Sequence, residues 1–169
     1  MTEHIWAPWR MEYIKSEKEK ECLFCRVLKQ GPDMYRSNLV LIEEKHAFVM
    51  LNRYPYTSGA VMIVPRTHVS DFMDLGRDEY SALWLLVRRS VRALQEAVNP
   101  QGVNIGVNLG EPAGAGIKEH VHVHLVPRWV GDTNFMSCIA DLRVMPEYLY
   151  ETLDTLMPHF VKIVEQEEE

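Results

Sequence analysis

Short runs of aliphatic residues, bounded by charged or turn-forming residues, dominate the chain between positions 38 and 65. Three such runs are NLVLIE from Asn38 to Glu43, AFVML from Ala47 to Leu51 and GAVMIVP from Gly59 to Pro65, and they are typical of strands. Because the connections between them are too short for a crossover, these three strands are predicted to pair in an antiparallel fashion.

Two further strands are predicted from alternation. Between Val103 and Asn108, Val and Ile alternate with Asn and Gly, and between His120 and Arg128 three histidines alternate with aliphatic residues. Successive side chains of a strand point to opposite faces of the sheet. The histidines should therefore share one face, and the aliphatic residues should face the core.

Helical periodicity appears twice. From Asp78 to Val98, apolar residues recur at three- and four-residue spacing, and Asp78 is the predicted N-terminal cap. Pro146 suits the first turn of a C-terminal helix, while Pro158 should kink or restart that helix. The predicted fold class is therefore α+β, with a five-stranded antiparallel sheet, one long helix packed against it and a C-terminal helix.

Length and charge narrow the classes of function. A chain of 169 residues, 47% of them hydrophobic, matches one ordinary domain, and we expect an N-terminal arm over 1–21 and a single domain over 22–169. A net charge of −6 argues against nucleic-acid or anionic-membrane partners, which need a basic surface. No apolar run resembles a signal peptide or approaches the roughly 20 residues of a membrane span, so a cytoplasmic location is expected.

Cys22 and Cys25 form a C-x-x-C motif. The motif alone is compatible with a redox pair, with half of a metal site or with two small buried hydrophobic residues. A disulfide scaffold is the weaker interpretation in a chain with no export signal.

Three of the seven histidines fall within five positions, at His120, His122 and His124. Same-face neighbours on a strand are about 6.6 Å apart, so His120 and His124 should be about 13 Å apart, which is too far for both to bind one atom. The preceding loop from Leu109 to Glu119 contains three glycines and could place backbone N–H groups around an anion.

The His-apolar-His-apolar-His-apolar-apolar pattern follows Asn108 and Ala113-Gly114 and precedes Pro127-Arg128. It resembles the histidine-triad (HIT) family of nucleotide hydrolases and transferases, and the resemblance spans Cys22 to Arg128. It implies a homodimer that binds nucleotides or dinucleoside polyphosphates, with His122 as the nucleophile on the α-phosphorus and His124 as a hydrogen-bond donor to phosphate. The nucleotide-binding residues that it implies are Asn52, Asn108, Gly114, Ala115, Gly116, His122 and His124.

The same resemblance implies a structural zinc ion in branches that carry the C-x-x-C. Its ligands would be Cys22, Cys25, His68 and His120. Many family members carry a Ser or Thr hydroxyl before the triad, where this chain has Ala115-Gly116-Ile117, so backbone N–H groups would have to hold the phosphate instead.

Segments on either side of the sheet strands resemble one branch of the family. The WAPWR run from Trp6 to Arg10 and the GDTNF run from Gly131 to Phe135 look like the branch of bacterial diadenosine-tetraphosphate phosphorylases, in which inorganic phosphate attacks the intermediate. The sequence leaves the acceptor open between phosphate and water.

The leading hypothesis is an enzyme that cleaves diadenosine polyphosphates or related nucleotides through a nucleotidyl-histidine. One alternative is a zinc-stabilised nucleotide-binding module with little turnover. The other is a metalloenzyme that uses the three triad histidines as ligands of a catalytic ion, which their strand spacing disfavours.

Overall fold

The computed structural model describes residues 21–55, 57–132 and 147–165. Besides three short 3-10 turns, its elements in chain order are α1 (Leu23–Gln30), β1 (Val40–Glu43), β2 (Ala47–Leu51), β3 (Val61–Pro65), α2 (Arg77–Val98), β4 (Gly102–Val107), β5 (Val123–Arg128) and α3 (Leu149–Glu165). The predicted arm lies outside the described residues except for Glu21, so the division into an arm and one domain stays a prediction.

All five strands form one antiparallel sheet in the order β1-β2-β3-β5-β4, which confirms the predicted fold class. Strand β5 lies between β3 and β4, but its pairing with β3 covers only Val123 to Leu125. Beyond Leu125, β5 pairs with β4 alone. Pro127 has no N–H to donate, and it is tolerated where the strand has a single neighbour.

Alternation along the strands divides the apolar side chains between the two faces of the sheet. On β2, Ala47, Val49 and Leu51 join a large buried cluster with residues of α2 and α3. Phe48 and Met50 point to the other face, where they join a smaller cluster with Phe24 and Val27 of α1. Helices therefore cover both faces of the sheet. The smaller cluster, under α1, is the one that contacts the rings of His120 and His122, through Phe24.

Helix α2 begins one residue before the predicted start, and its cap differs from the prediction. The backbone N–H of Gly76 donates to the Glu79 carboxylate at 3.0 Å, which satisfies the helix start in the manner of half a capping box. Asp78 lies inside the first turn instead. The predicted Asp78 cap is therefore wrong, although the acidic first turn still suits the helix dipole.

Strand starts were also predicted too early. Leu39 has a φ of 63° and Gly59 a φ of 76°, and neither value is compatible with an extended strand. Strands β1 and β3 therefore begin only at Val40 and Val61. Likewise β5 begins at Val123, so His120 and His122 lie in the segment that leads into it.

Two helices depart from the sequence-based picture. Helix α1, which starts within the C-x-x-C, was not predicted; it is only eight residues long and buries two side chains, Phe24 and Val27. Helix α3 runs without a break through Pro158, so the predicted restart is wrong, and Pro146 lies outside the described residues. No helix in the described part of the chain has the length and apolar character needed to span a membrane.

Candidate functional site

Four side chains from three separate parts of the chain converge at the start of α1. Cys22 and Cys25 come from α1 and its cap, His68 follows β3, and His120 precedes β5. One ligand atom from each lies within 4.8 Å of the other three. The four predicted metal ligands are therefore brought together in the fold.

The tautomer of His120 suits a metal ligand. Its Nε2 lies 2.8 Å from the carbonyl oxygen of Pro65, and a carbonyl only accepts, so Nε2 carries the proton and Nδ1 presents a lone pair. That Nδ1 is 3.4 Å from Sγ of Cys22 and 3.8 Å from Sγ of Cys25. Metal-bound histidines commonly donate the other ring nitrogen to a backbone carbonyl in this way.

The separations between the donor atoms also fit a tetrahedral zinc ion. With Zn–S near 2.3 Å and Zn–N near 2.0–2.1 Å, a tetrahedron has S···N edges of about 3.5 Å. A further S···N separation in the cluster, between Sγ of Cys25 and Nδ1 of His68, is 3.3 Å. Burial, followed by the neighbouring Cys22, raises the pKa of Cys25, and a nearby cation would oppose that effect.

His122 is held with one nitrogen occupied. Its Nδ1 lies 3.0 Å from the carbonyl oxygen of His120, so Nδ1 carries the proton and Nε2 holds the lone pair. No residue in the described ranges hydrogen-bonds to Nε2. Burial lowers the pKa of His122, which keeps the ring neutral and Nε2 available for attack at neutral pH.

His124 adjoins His122 and faces a cavity. The two imidazole centroids are 4.7 Å apart, and neither ring nitrogen of His124 has a hydrogen-bond partner among the described residues. Burial, and next the proximity of His122, lowers the pKa of His124 to about 4. At neutral pH the ring is therefore uncharged and can still donate one N–H to a ligand.

A cavity of about 250 Å³ opens beside His124, between β4, β5 and the end of β2. Gly106 lies directly across the strand pair from His124, and a Cβ atom built on Gly106 would meet nothing within 4 Å. The open space above His124 therefore exists because position 106 carries no side chain. The cavity is lined by Asn52, Ala60, Asn104, Ile105, Gly106, Asn108, His124 and Val126.

Two asparagines predicted to bind nucleotide line this cavity. Oδ1 of Asn52 accepts the backbone N–H of Tyr54 at 2.9 Å, so this residue also closes a turn, as Asn often does. Nδ2 of Asn108 donates to the carbonyl of Gly114 at 3.4 Å. The β4–β5 pairing ends with Val107 opposite Val123, and Asn108 and His122 are the residues directly beyond that end of the strand pair.

The glycine-rich loop is more self-contained than the sequence predicts. The N–H of Gly114 donates to the carbonyl of Glu111 at 2.9 Å, and the N–H of Ala115 donates to the carbonyl of Gly110 at 3.3 Å. In this conformation both N–H groups are engaged in turns within the loop. An anion held by these two groups would need the loop to rearrange, whereas Asn108 and His124 already face the cavity.

Sequence reasoning missed two contributors to this region. Asn104 lines the cavity and accepts a hydrogen bond from Nη1 of Arg128 at 2.9 Å, and the alternation of β4 already placed it on the polar face. Phe24 contacts the rings of both His120 and His122, with centroids 5.2 Å and 5.1 Å away. No local pattern marks Phe24, because the contact joins residues almost a hundred positions apart.

Comparison with known proteins gives a consistent family assignment. The model of the HIT domain matches residues 36–130. The AP-4-A phosphorylase of Mycobacterium tuberculosis is 34% identical over 156 residues, which cover 89% of this chain and 80% of that protein. The bis(5'-adenosyl)-triphosphatase of Dictyostelium discoideum is 31% identical over 98 residues, covering 58% and 65% of the two chains.

Solved structures show the same fold. A Zn-bound histidine triad family protein from Mycobacterium smegmatis superposes with a TM-score of 0.67 at 25% identity, covering 86% of this chain and 97% of the other. The chain SMU.412c from Streptococcus mutans gives a TM-score of 0.58 at 27% identity, with 92% and 90% covered. The similarity therefore extends over most of the described sheet and helices.

Proposed function

The chain belongs to the HIT domain family, and from that premise we propose that it cleaves diadenosine polyphosphates or related nucleotides at the α-phosphate. The similarity to an AP-4-A phosphorylase and to a bis(5'-adenosyl)-triphosphatase supports this class of substrate. The observation that carries the proposal is the hydrogen bond from Nδ1 of His122 to the carbonyl of His120, because it leaves Nε2 as a free nucleophile.

In the proposed reaction, Nε2 of His122 forms a bond to the α-phosphorus while the bond from that phosphorus to its bridging oxygen breaks. Diadenosine tetraphosphate would release ATP and leave an adenylyl group on His122. Splitting the displacement into two steps through a covalent intermediate is the general advantage of a nucleophilic side chain.

Charge on the phosphoryl oxygens has to be stabilised in both steps. Neutral His124 has an N–H that is unpaired among the described residues, and it lies beside His122 at the cavity wall. Asn108 offers a further amide donor at the same cavity. We assign phosphate contacts to these two residues, and a ribose contact to Asn52, which also lines the cavity.

A structural zinc ion is the proposed occupant of the cluster formed by Cys22, Cys25, His68 and His120. Thiolate and imidazole donors in a tetrahedral set are typical of structural zinc sites, and the HIT protein from Mycobacterium smegmatis is described as Zn-bound. The ion would tie α1 to the end of β3 and to the start of the triad segment. Bond cleavage at the α-phosphorus is assigned to His122 and His124, and the metal ion has no part in it.

The acceptor distinguishes a phosphorylase from a hydrolase. Attack by inorganic phosphate on the adenylyl group would yield ADP and restore His122, whereas attack by water would yield AMP. The 34% identity to an AP-4-A phosphorylase over 89% of this chain favours phosphate as the acceptor.

The test is a product assay with diadenosine tetraphosphate, run with and without inorganic phosphate. ADP plus ATP formed only with phosphate is the expected result, and AMP plus ATP without phosphate would replace the phosphorylase by a hydrolase. His122→Ala should abolish turnover and the trapped adenylyl adduct. Full turnover by this variant would refute His122 as the nucleophile.

A nucleotide-binding module with little turnover is not better supported than the enzyme. The accessible lone pair of His122 and the family relatives named as enzymes both favour turnover. Tight nucleotide binding without any product, in either the presence or the absence of phosphate, would reverse that preference.

We further infer a homodimer in the cytoplasm. Among the described strands β4 has only one neighbour, and Ile105 on it is 50% exposed, which supports contact with a second copy. The proposed use of Cys22 and Cys25 as zinc ligands requires reduced cysteines, which a reducing compartment maintains. Sedimentation at equilibrium would test the dimer, and cell fractionation would test the location.

A further inference from the structure

Phe24 lies between the two cysteines of the C-x-x-C motif, in the first turn of α1. Its side chain is fully buried, and its ring meets two imidazoles. The ring centroid is 5.2 Å from that of His120, at an interplanar angle of 80°, and 5.1 Å from that of His122, at 60°. Both are edge-to-face arrangements of the kind that aromatic pairs prefer.

This contact supplies a constraint on His122 that its hydrogen bond does not. A single bond from Nδ1 to the His120 carbonyl leaves the plane of the imidazole free to tilt, and a tilt that bends this bond also weakens the preference for a proton on Nδ1. The rings of Phe24 and His124 touch the same imidazole. Tilting therefore requires one of these neighbours to move, and the neighbour on the α1 side is closely packed.

The position of Phe24 is itself set by the proposed metal cluster. Cys22 and Cys25 flank it in sequence, and both lie within hydrogen-bonding distance of Nδ1 of His120. His120 in turn provides the carbonyl that orients His122. The same turn of helix thus holds the four-ligand cluster on one side and contacts the nucleophile on the other.

We infer that Phe24 is a positioning residue for the reaction, which holds the His122 imidazole with Nε2 directed at the α-phosphorus and couples its orientation to the Cys22-Cys25 turn. The inference rests on the proposed function, because it assumes that His122 is the nucleophile. It assigns to α1 a role in the chemical step in addition to its role in metal binding and in the core.

Phe48 provides a matched control. It is also a fully buried phenylalanine of the same cluster, and its ring packs edge-on against Phe24 with centroids 6.3 Å apart. Among the described residues its only ring contact is with Phe24. Phe24→Leu and Phe48→Leu therefore remove the same group from the same layer, but only the first removes a contact with an imidazole.

The experiment compares the two variants as full-length protein with zinc content measured. Phe24→Leu should lower kcat at least about tenfold, since small misplacements of reacting groups cost this much or more, while KM changes less than about twofold. Phe48→Leu should keep kcat within about threefold of wild type at a similar loss of Tm. Equal losses of kcat in the two variants, or an unchanged kcat in Phe24→Leu, would overturn the inference.

A spectroscopic readout separates orientation from general loosening. In nitrogen-15 correlation spectra, wild type and Phe48→Leu should show His122 with the proton on Nδ1, whereas Phe24→Leu should show a mixture of the two tautomers. An unmixed Nδ1–H form in Phe24→Leu would overturn the inference. If Phe24→Leu does not fold, Phe24→Met, which fills similar space flexibly, is read by the same criteria.

Failure of the proposed function would be visible separately. Full turnover by His122→Ala would refute the nucleophile whatever the Phe24 variants do, whereas an inactive His122→Ala beside indistinguishable Phe24→Leu and Phe48→Leu would refute the positioning role alone. Loss of zinc in Phe24→Leu but not in Phe48→Leu, with tautomers unchanged, would also overturn it in favour of an indirect effect through the metal.

Discussion

Gly106 allows a direct test of whether the cavity beside His124 is where the substrate binds. Residue 106 lies across from His124 on β4, and an added Cβ would meet no atom of the protein within 4 Å. The Cβ atom of a valine at position 106 should therefore fit the folded protein without a clash. The side chain of Gly106→Val would instead occupy the space that the substrate needs.

The expected effects on stability and on binding have opposite signs. Strand preferences span about 1 kcal/mol, with Gly at the unfavourable end and Val at the favourable end. The variant should consequently be as stable as wild type or more stable, by up to about 1 kcal/mol, which is a rise in Tm of about 2–4 °C at this chain length. Forcing extra carbon atoms into an occupied site costs about 1–3 kcal/mol, or roughly 5- to 150-fold in affinity.

Gly102 is the matched control for this substitution. It lies on the same strand and the same face, four residues away, and an added Cβ there also meets nothing within 4 Å. It pairs with Arg128 and does not line the cavity. Gly102→Val should show the same stability change with unaltered substrate binding.

The assay combines thermal unfolding with titration of a non-hydrolysable dinucleoside polyphosphate. Weaker binding by Gly106→Val alone, at equal or higher Tm, is the expected pattern. Wild-type affinity in Gly106→Val would refute the cavity as the binding site. Equal weakening in both variants would show that the loss arises from the strand and not from the space above His124.

Two further outcomes are expected. Cys22→Ser should lose zinc, and its Tm should fall by at least about 5 °C, which corresponds to roughly 2 kcal/mol. A chelator should lower the Tm of wild type but not that of the variant. A metal-free wild type with an unchanged Tm would contradict the zinc site. The pKa of His124 is lowered to about 4 from about 6.5 in an unfolded chain, so its contribution to stability is complete above pH 6.5 and is lost as the pH falls towards 4. The free energy of unfolding should therefore fall more steeply over this range in wild type than in His124→Gln, and parallel curves would show that His124 titrates normally.

Much of the fold was predictable because the apolar spacing of a strand or a long helix can be seen among residues that are close in sequence. The alternation of β2 separates Ala47, Val49 and Leu51 from Phe48 and Met50. The spacing of α2 predicts the burial of Leu83, Val87 and Leu94, but not that of Leu86 or Ala93. Boundaries were less predictable, because they depend on single backbone conformations. Leu39 with its positive φ and the capping contact of Glu79 are examples that leave no periodic signal.

The candidate site likewise has features that the sequence predicted and features that it did not. The three triad histidines and the C-x-x-C were visible as motifs, and the family resemblance linked them to His68. Helix α1 was missed because a helix of eight residues with two buried side chains has too few turns to show a periodic pattern. The turn hydrogen bonds of Gly114 and Ala115 were equally hidden, since a glycine-rich loop can adopt many conformations and the sequence does not select among them.

Local alternation in the sequence was enough to assign the strands and long helices, because period and side-chain direction are properties of neighbouring residues. It predicted one shared face for His120, His122 and His124, of which only His124 lies within β5. The chemical state of those histidines depends on distant groups. The carbonyl of Pro65 directs Nδ1 of His120 to the cysteines, the carbonyl of His120 leaves Nε2 of His122 free, and the absent side chain of Gly106 opens the space over His124. Tautomer, burial and cavity all arise from contacts between separate segments, and such contacts exist only once the sheet has assembled.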